Sequence, residues 1–511
     1  MTVHSRPRVS LAELLPYAAQ TTPEAIALIT DEGSFTYSEL DEKSNAVASA
    51  LLDLGLERGQ VVSLFGQNSM RWLTTYHGIL KAGGVVNPIN VMLSGPELSF
   101  VLSDCAAVGL FIGAAEAERI RSHLSQTGLE FMVTLDADWD RLVDEASNFE
   151  IPEVDRGPTE LGSIGYTSGT TGHPKGAMQS LQSVLLNCAY TATMHGKVAS
   201  DIVFSALPLA HVYGNVAVNG TLLAGGTVVL KERFDAVDVL KTIEAEKITV
   251  VEGVPAMYAM MLARHEVEST DFRSLRVSTV GGQTFSPIVI EKWESLTHAP
   301  LLELWGMTEV SGLGTTHSAC APSAPGSIGV SLPTMDLAIV PMDGSASTVP
   351  NGEPGELVVR GPLVMLGYFG NPEATTETID SEGWLHTGDV ATLDDTGHVR
   401  IVDRLKDVIF TGGYNVYPAE IERVIAEHED VALVAVGRQP DEVKGEIAVA
   451  HIILREGATT TVEDILKFCA DRLAAYKRPR RVYFRQSLPT TSSGKIMRRE
   501  LGNPIVGDEQ Q

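Results

Sequence analysis

A segment rich in glycine, serine and threonine could bind phosphate. The stretch YTSGTTGHPKG, residues 166–176, holds three glycines, four Ser/Thr hydroxyls and one lysine in eleven positions. Backbone N–H groups, hydroxyls and a cation can together cradle phosphate, although most clusters of this composition are mobile surface loops. The Walker pattern does not fit, because Pro174 precedes Lys175 and Gly176 follows it. Composition alone leaves both interpretations open.

Three shorter motifs carry one or two polar residues that could act in catalysis. In WGMTE (305–309), Thr308 and Glu309 combine a hydroxyl with a carboxylate, which suits Mg²⁺ and phosphate but is also a common helix cap. In HTGD (386–389), Asp389 is predicted to lie on a turn, where it could accept hydrogen bonds from a ribose diol or simply cap the turn. In SSGK (492–495), Lys495 lies in a Gly/Ser turn or in a solvated basic tail.

Helical and extended patterns alternate around these motifs. Thr36 and Glu39 have the spacing of a capping box, and apolar residues then recur at helical intervals. The 166–176 segment follows a strand that ends near Tyr166 and precedes a helix that starts near Ser180, the setting in which phosphate loops occur. The alternation predicts an α/β fold with a mostly parallel sheet, with strands at 61–64, 85–86 and 131–135 and helices at 72–81 and 114–124.

The C-terminal part of the chain has a different pattern. It is predicted to form a strand, a Gly-Gly turn, a helix from Pro418, a strand over 431–436 and a second helix over 462–474. That order indicates a small α+β unit. The predicted division is a large domain over 1–403, a hinge at 404–406 and a small domain over 407–511.

Composition limits the partners and the location. The chain has 511 residues and a formal net charge of −27, which argues against a nucleic-acid partner. We expect no signal peptide and no transmembrane segment. The four cysteines are scattered without metal-ligand spacing, so we expect free buried thiols in a reducing cytoplasm. Oligomeric state is left open, with a homodimer as one option.

Taken together and in order, the motifs resemble those of the AMP-forming acyl-CoA synthetases. The matching stretches are the glycine loop, LPLAHVYG, WGMTE, WLHTGD, DRLKD, GGYNVYPAEIE and SSGK, and they cover about residues 20 to 500. This adenylate-forming family also contains insect luciferases and peptide-synthetase adenylation domains. The resemblance implies a large N-terminal domain with a small C-terminal lid, and a ligase that uses ATP, Mg²⁺, coenzyme A and a small carboxylic acid.

The resemblance also implies roles in the adenylation step. Thr308 would contact the α-phosphate, Glu309 would bind Mg²⁺, Asp389 with Arg404 would bind the ribose, and Lys495 would bridge the substrate carboxylate and the α-phosphate. The residues that would close over the β- and γ-phosphates are Thr167, Ser168, Gly169, Thr170, Thr171, Gly172 and Lys175. After adenylation the small domain would rotate about Lys406. That rotation would bring toward coenzyme A the turn Gly412–Gly413–Tyr414, Arg438, Lys477 and Arg478.

The acyl pocket implied by motif register is mostly small and apolar, with no lysine or arginine, which favours an apolar monocarboxylic acid. Trp305 stands where the family usually has tyrosine and Gln283 where a small residue is common, so medium-chain and aryl acids compete with long chains. His211 is either a core histidine or a gate of the acyl tunnel; the motif match favours the gate and places His211 among the predicted catalytic residues with Thr308, Glu309 and Lys495. The implied lining is His211, Tyr213, Ala217, Met257, Gly281, Gly282, Gln283, Trp305, Gly306 and Gly312, and Gly282, Gln283, Trp305, Gly306 and Met307 are also assigned to the nucleotide.

Three other functions remain open at this point. A luciferase-like oxygenase would use the same adenylate, but the CoA-facing Gly-Gly turn argues against it. A ligase that charges a carrier protein would share the first half-reaction. A non-catalytic nucleotide-binding protein would be expected to lack Glu309 or Lys495, and both are present.

Overall fold

The computed structural model describes residues 10–124, 127–146, 157–167, 174–283, 285–342, 348–489, 498 and 501. Five residues predicted to bind phosphate, 168–172, and the predicted catalytic Lys495 lie outside these ranges. The chain divides into two compact units. The N-terminal unit comprises Met1–Leu337, Val359–Leu385 and Thr396–Val399, and the C-terminal unit comprises Ala338–Val358, His386–Asp395 and Arg400–Gln511. The hinge predicted at 404–406 remains a prediction.

Helices and strands alternate through most of the described residues. The helices are α1 (Leu14–Thr21), α2 (Tyr37–Asp53), α3 (Met70–Lys81), α4 (Gly95–Asp104), α5 (Ala114–Ile120), α6 (Ala137–Asp144), α7 (Leu181–Met194), α8 (Val212–Leu223), α9 (Ala236–Ala245), α10 (Pro255–Leu262), α11 (Pro287–Thr297), α12 (Pro372–Thr378), α13 (Pro418–Ala426) and α14 (Val462–Ala470). The strands of the first half are β1 (Ile26–Thr30), β2 (Gly33–Thr36), β3 (Val61–Phe65), β4 (Val85–Pro88), β5 (Ala107–Ile112), β6 (Phe131–Thr134), β7 (Leu161–Thr167), β8 (Lys175–Ser180), β9 (Ile202–Ser205), β10 (Thr227–Leu230), β11 (Val250–Gly253) and β12 (Val277–Val280). The remaining strands are β13 (Leu301–Met307), β14 (Gly312–Thr316), β15 (Val330–Ser331), β16 (Asp336–Val340), β17 (Gly355–Arg360), β18 (Gly367–Tyr368), β19 (Leu385–Leu393), β20 (Val399–Arg404), β21 (Ile409–Thr411), β22 (Tyr414–Val416), β23 (Val431–Asp441), β24 (Gly445–Leu454) and β25 (Arg481–Phe484).

Two large sheets form the frame of the N-terminal unit. One has nine strands in the order β15-β14-β13-β12-β11-β9-β10-β1-β2, and the other has seven in the order β18-β8-β7-β4-β3-β5-β6. The central pairs of both sheets are parallel, from β13 to β1 in the first and from β7 to β6 in the second. A further four-stranded sheet, in the order β16-β17-β19-β20, belongs mostly to the C-terminal unit. The α/β class with a mostly parallel sheet is confirmed.

Helices α3 and α8 are buried on almost every side, so they belong to the interior of the N-terminal unit. His77 on α3 and Asn219 on α8 join them through a buried hydrogen bond of 2.9 Å. The capping box at the start of α2 is confirmed, because the Thr36 hydroxyl accepts from the Glu39 N–H and the Glu39 carboxylate accepts from the Thr36 N–H. None of the helices described is long and apolar enough to span a membrane.

The C-terminal unit has its own sheet and core. Strands β22, β21, β24 and β23 pair antiparallel, and β25 adds in parallel to β24. Helices α13 and α14 cover this sheet around an apolar core that includes Ile421, Val436, Ile452 and Ile465. The predicted small α+β unit is confirmed, with the helix from Pro418 starting as expected and the second helix ending at Ala470 rather than 474.

Three local predictions were wrong. Strand β8 lies between the glycine loop and α7, so the loop is not followed directly by a helix; β8 forms because its backbone pairs with both β7 and β18. The HTGD motif lies on strand β19 and not on a turn. All four cysteines are free, but Cys320 is exposed while Cys105, Cys188 and Cys469 are buried.

Candidate active site

The two ends of the glycine loop lie side by side in the N-terminal unit. Thr167, the last residue of β7, pairs with Lys175, the first residue of β8. Lys175 also lines a cavity of about 160 Å³ together with Asp104, Phe369 and Asn371. The lysine predicted to contact phosphate is therefore placed at a strand end beside open space.

The Thr308–Glu309 motif packs directly on these two strands. After β13, residues 308–310 form one 3₁₀ turn. The side-chain amide of Gln179 on β8 donates to the Thr308 carbonyl at 2.9 Å. Gly165 on β7 lets Thr308 pack closely on the strand, because a Cβ at this position would lie 2.5 Å from the Thr308 methyl group. The structure thus brings together the phosphate-loop lysine and the hydroxyl–carboxylate pair, which are far apart in sequence.

Tyr368 is a residue of this site that the sequence did not reveal. Its hydroxyl donates to Glu309 Oε1 at 2.8 Å, and Lys175 Nζ lies 5.2 Å from the centre of its ring. Burial, and after it the charge of Glu309, raises the pKa of Tyr368, so the hydroxyl keeps its proton. No sequence signal identified it, since Tyr368 lies 59 positions from Glu309 in a short GYFG segment without a pattern.

The donor set at this position fits a magnesium ion. Glu309 is buried to 7% exposure and offers carboxylate oxygen, and the Thr308 hydroxyl is its neighbour. Within the described ranges, no cluster of three or more His, Cys, Asp or Glu side chains could hold a metal ion by itself. Mg²⁺ commonly binds through one or two carboxylates plus substrate phosphates and water, so the ion would complete its shell with the nucleotide.

The carboxyl ends of two neighbouring parallel strands carry half of the predicted acyl-pocket residues. Gly281, Gly282 and Gln283 follow β12, and Trp305, Gly306 and Met307 end β13. Open α/β sheets bind ligands at this edge. Gly282 and Gln283 are exposed, whereas Trp305 is buried with its ring against Gly314. Three of the predicted pocket glycines are closely packed. The nearest atom to a Cβ built on the backbone would lie at 2.1 Å for Gly281, 2.0 Å for Gly306 and 2.7 Å for Gly312.

The other predicted pocket residues lie on three further elements, with His211, Tyr213 and Ala217 at or in α8, Met257 on α10 and Gly312 at the start of β14. His211 is the N-cap of α8, where its Nδ1 accepts from the Tyr213 N–H at 3.4 Å, and it is exposed. The core-histidine interpretation is therefore wrong, and the gate role stays a prediction. Tyr213, Ala217 and Met257 are all buried.

A buried polar network that the sequence did not reveal holds Tyr213. The tyrosine hydroxyl lies 2.5 Å from Thr279 Oγ1 and donates to Glu252 Oε2 at 3.2 Å. Glu252 Oε1 is 2.8 Å from Lys197 Nζ, which also donates to the Ala217 carbonyl at 2.9 Å. The Tyr213 side chain and the Ala217 carbonyl, both on α8, are thus hydrogen-bonded to one ion pair, Lys197–Glu252.

In the C-terminal unit, Asp389 and Arg404, the two residues predicted to bind the ribose, form an ion pair. Arg404 Nε lies 2.7 Å from Asp389 Oδ1, with the Asp389 side chain 4% exposed and that of Arg404 48% exposed. Strand β19 holds Asp389 in place, since Thr387 donates to the Leu357 carbonyl at 2.7 Å and accepts from the Asp389 N–H at 3.1 Å. Asp389 therefore does not cap a turn; an arginine holds it as a charged acceptor.

The residues predicted to move toward coenzyme A lie on the surface of the C-terminal unit. Gly412 and Gly413 both have positive φ, 57° and 83°, and form the two-residue turn between β21 and β22. Next to it, Tyr414 stacks on Tyr476 with ring centres 4.6 Å apart. Lys406 is exposed in the 3₁₀ turn 405–407. Two of the predicted phosphate contacts have acidic partners, Lys477 with Glu420 at 2.7 Å and Arg438 with Glu446 at 3.4 Å.

Comparisons with known proteins agree with this arrangement. The family model of the AMP-binding enzymes matches residues 15–369, and the model of the AMP-binding enzyme C-terminal domain matches 420–495. A long-chain-fatty-acid–CoA ligase of Yersinia pestis is 34% identical, over 97% of this chain and 94% of the relative. A feruloyl-CoA synthase of Amycolatopsis sp. is 35% identical, over 94% of this chain and 96% of the relative. The structure of o-succinylbenzoate CoA synthetase from Bacillus subtilis, in complex with its acyl-adenylate intermediate, superimposes with a TM-score of 0.87 at 29% identity, covering 97% and 99% of the two chains.

Proposed function

The chain belongs to the AMP-binding enzyme family, and we propose that it activates an apolar monocarboxylic acid with MgATP and transfers the acyl group to coenzyme A. It is an enzyme of the acid–thiol ligase class. The observation that carries the proposal is the cluster formed by Lys175, Thr308, Glu309 and Tyr368, because it combines a cation, a hydroxyl and a carboxylate, the groups that binding of a magnesium–triphosphate complex requires.

In the proposed first step, a carboxylate oxygen of the acid attacks the α-phosphorus of ATP. The bond to the bridging oxygen breaks, and pyrophosphate leaves with that electron pair. Lys175 and Thr167 would bind the β- and γ-phosphates, Thr308 would donate to the α-phosphate, and Glu309 would hold Mg²⁺, whose charge would offset negative charge on the leaving group. Oriented cations and donors at this point lower the barrier between two anions.

The C-terminal unit supplies the remaining groups of the proposal. Asp389, held by Arg404, accepts from the ribose hydroxyls. Lys495 bridges the two reacting anions, and then moves away as the unit turns about Lys406. In the second step the thiol sulfur of coenzyme A bonds to the acyl carbon, the bond to AMP breaks, and the thiol proton is released.

The charges near the predicted acyl site support an apolar substrate. Lys197 lies next to Ala217, but its charge is already balanced by Glu252. The predicted lining itself contains no lysine or arginine to pair with a second carboxylate on the substrate, and burying an unpaired charge is costly. The relatives named above act on a fatty acid and on an aryl acid according to their names, so both classes belong in the test. The cytoplasm, where ATP and coenzyme A are available, is the proposed location.

The test is product analysis on the purified full-length chain with MgATP and a panel of straight-chain, aryl and dicarboxylic acids. We expect acid-dependent release of AMP and pyrophosphate, with acyl-CoA appearing only when coenzyme A is added. A Glu309→Gln variant should release neither AMP nor pyrophosphate, since the amide keeps the shape of the carboxylate but not its charge. Formation of ADP, or turnover with dicarboxylic acids alone, would contradict the proposal.

A further inference from the structure

Tyr368 contacts both charged groups of the N-terminal site. Its hydroxyl donates to Glu309 Oε1 at 2.8 Å, and its ring lies under the Lys175 ammonium group at 5.2 Å from centroid to nitrogen. Both the tyrosine and the glutamate are 7% exposed. A single aromatic side chain is therefore the physical link between the lysine predicted to bind phosphate and the carboxylate predicted to bind metal.

The backbone holds Tyr368 in this position from three sides. Strand β18 pairs with β8, with Tyr368 opposite Ala177, and the Phe369 N–H donates to the Gly176 carbonyl at 2.8 Å. The Tyr368 N–H donates to the Thr375 hydroxyl at 2.9 Å, and the Met365 N–H donates to the Glu309 carbonyl at 2.8 Å. These hydrogen bonds hold the backbone before, at and after Tyr368, so they restrict movement of its hydroxyl away from Glu309.

The chemistry of these contacts indicates how Tyr368 acts on Glu309 and Lys175. A tyrosine hydroxyl is a donor at neutral pH, and an ionised carboxylate offers several acceptor positions on two oxygens. A donor on Oε1 restricts the rotation of the carboxylate. A lysine within about 6 Å of an aromatic centre is attracted by the negative face of the ring. The ring can thus hold Lys175 before phosphate arrives.

We propose that Tyr368 is a positioning residue for nucleotide and metal: its hydroxyl orients Glu309 toward a divalent cation, and its ring holds Lys175 over the phosphate site. This inference rests on the proposed function for the identity of the two ligands. Partners of this kind behind a metal ligand typically contribute about 10–100-fold to metal affinity or activity.

Two variants separate the contributions of the hydroxyl and the ring. Tyr368→Phe removes the bond to Glu309 and keeps the aromatic face, whereas Tyr368→Leu removes both. The matched control is Tyr37→Phe, since Tyr37 is another buried tyrosine of the N-terminal unit, whose hydroxyl donates to the Gly226 carbonyl at 2.7 Å. The two carbonyl groups that the Tyr37 hydroxyl contacts, those of Leu222 and Gly226, belong to none of the candidate site residues.

Binding is measured without turnover on the full-length chain. Mn²⁺ is titrated by electron paramagnetic resonance in the presence of α,β-methylene-ATP and without any acid, and metal-free nucleotide is titrated separately. We expect Tyr368→Phe to weaken Mn²⁺ binding by about 10-fold or more and to leave metal-free nucleotide affinity unchanged. Tyr368→Leu should weaken both. Tyr37→Phe should lower the unfolding temperature and change neither affinity.

A double variant keeps the test decisive. In a Glu309→Gln background, adding Tyr368→Phe should cause no further loss of Mn²⁺ affinity, because the oriented carboxylate is already gone. Wild-type Mn²⁺ affinity in a folded Tyr368→Phe protein, or an equal loss in Tyr37→Phe, would overturn the inference. If Tyr368→Phe does not fold, an intact chain with Glu309→Gln that binds Mn²⁺ as well as the wild type overturns it. Wild-type product analysis is separate: a wild type that binds Mn²⁺ with nucleotide but forms no AMP would refute the ligase and not the role of Tyr368.

Discussion

The side chains of Lys197 and Glu252 form a completely buried ion pair, with 2.8 Å between Nζ and Oε1. Burial acts to raise the pKa of Glu252, but the charges of Lys197 and His195 and the hydrogen bonds from Lys197 and Thr279 outweigh it and lower that pKa. Glu252 is therefore ionised in the folded chain. The pair binds the start of α8 to the ends of β11 and β12 through Tyr213 and Thr279.

Lys197→Met should destabilise the chain strongly. Removing the lysine leaves Glu252 charged and unpaired in the interior, which typically costs about 3–5 kcal/mol. Chemical unfolding measures the change, and a Lys197→Met/Glu252→Gln double variant should recover part of it because both charges are gone. The exposed pair Arg273–Asp271 has a comparable distance, 2.7 Å, so Arg273→Met is the control and should leave unfolding unchanged. Equal effects of the two single variants would refute this account of the buried pair.

Stability should fall as the pH drops below neutral, and His77 should contribute to the slope. Burial, followed by the charge of Lys81, lowers the pKa of His77 to about 3, below the value near 6.5 in the unfolded chain. The unfolded chain therefore takes up a proton that the folded chain does not. The contribution is complete above pH about 6.5 and is lost as the pH falls toward the folded pKa, at up to about 1.4 kcal/mol per pH unit.

Unfolding free energies of His77→Gln, measured from neutral to mildly acidic pH, should show a slope that is smaller by up to one proton. The control is His265→Gln, because the His265 side chain is 93% exposed in the folded chain. An unchanged slope in His77→Gln would contradict the prediction.

Tyr213 should limit the length of the acyl chain. Tyr213→Ala opens space next to Ala217 while the Lys197–Glu252 pair remains. We expect the kcat/KM ratio of long-chain to medium-chain acids to rise about 10-fold, the scale of small volume changes in apolar pockets. Tyr213→Phe keeps the ring and should keep the wild-type preference while losing some stability. If the wild type, Tyr213→Ala and Tyr213→Phe all had the same chain-length preference, Tyr213 would not line the acyl site.

Arg404→Met should weaken ATP binding through Asp389. Without the 2.7 Å ion pair, the Asp389 carboxylate is no longer held for the ribose hydroxyls. Hydrogen bonds that involve a charged group contribute about 1.5–3 kcal/mol, so the KM for ATP should rise roughly 10- to 100-fold. Arg360→Met, which breaks an exposed pair with Asp336, is the control. Pyrophosphate release at varied ATP measures both, and an unchanged KM would separate Arg404 from nucleotide binding.

Lys495→Ala and Lys477→Met should affect opposite half-reactions. Lys495→Ala should abolish adenylation and spare thioester formation from a supplied acyl-adenylate, because only the first step requires a cation between two anions. Lys477→Met should leave acid-dependent pyrophosphate release unchanged and raise the KM for coenzyme A. Each half-reaction is assayed separately. Equal losses of both half-reactions in Lys495→Ala would rule out a two-conformation cycle for this enzyme.

Elements whose signals are local were predictable from sequence. The Thr36–Glu39 capping box, the helix from Pro418 and the Gly412–Gly413 turn each depend on a few neighbouring residues, and all were found where expected. The motif order likewise led to the family and to Glu309 and Lys175 as site candidates. Strand β8 was missed because its pairing partner β18 lies far along the chain.

Contacts between segments that are distant in sequence could be identified only from the tertiary structure. Tyr368 lies 59 positions from Glu309, and neither its type nor its neighbours mark it as part of a site. The Lys197–Glu252 pair was invisible for the same reason, since a lysine and a glutamate in separate segments are usually solvated surface residues. Side-chain chemistry and local hydrogen bonding are written in short stretches of sequence, whereas burial and charge pairing depend on which segments the folded chain brings side by side.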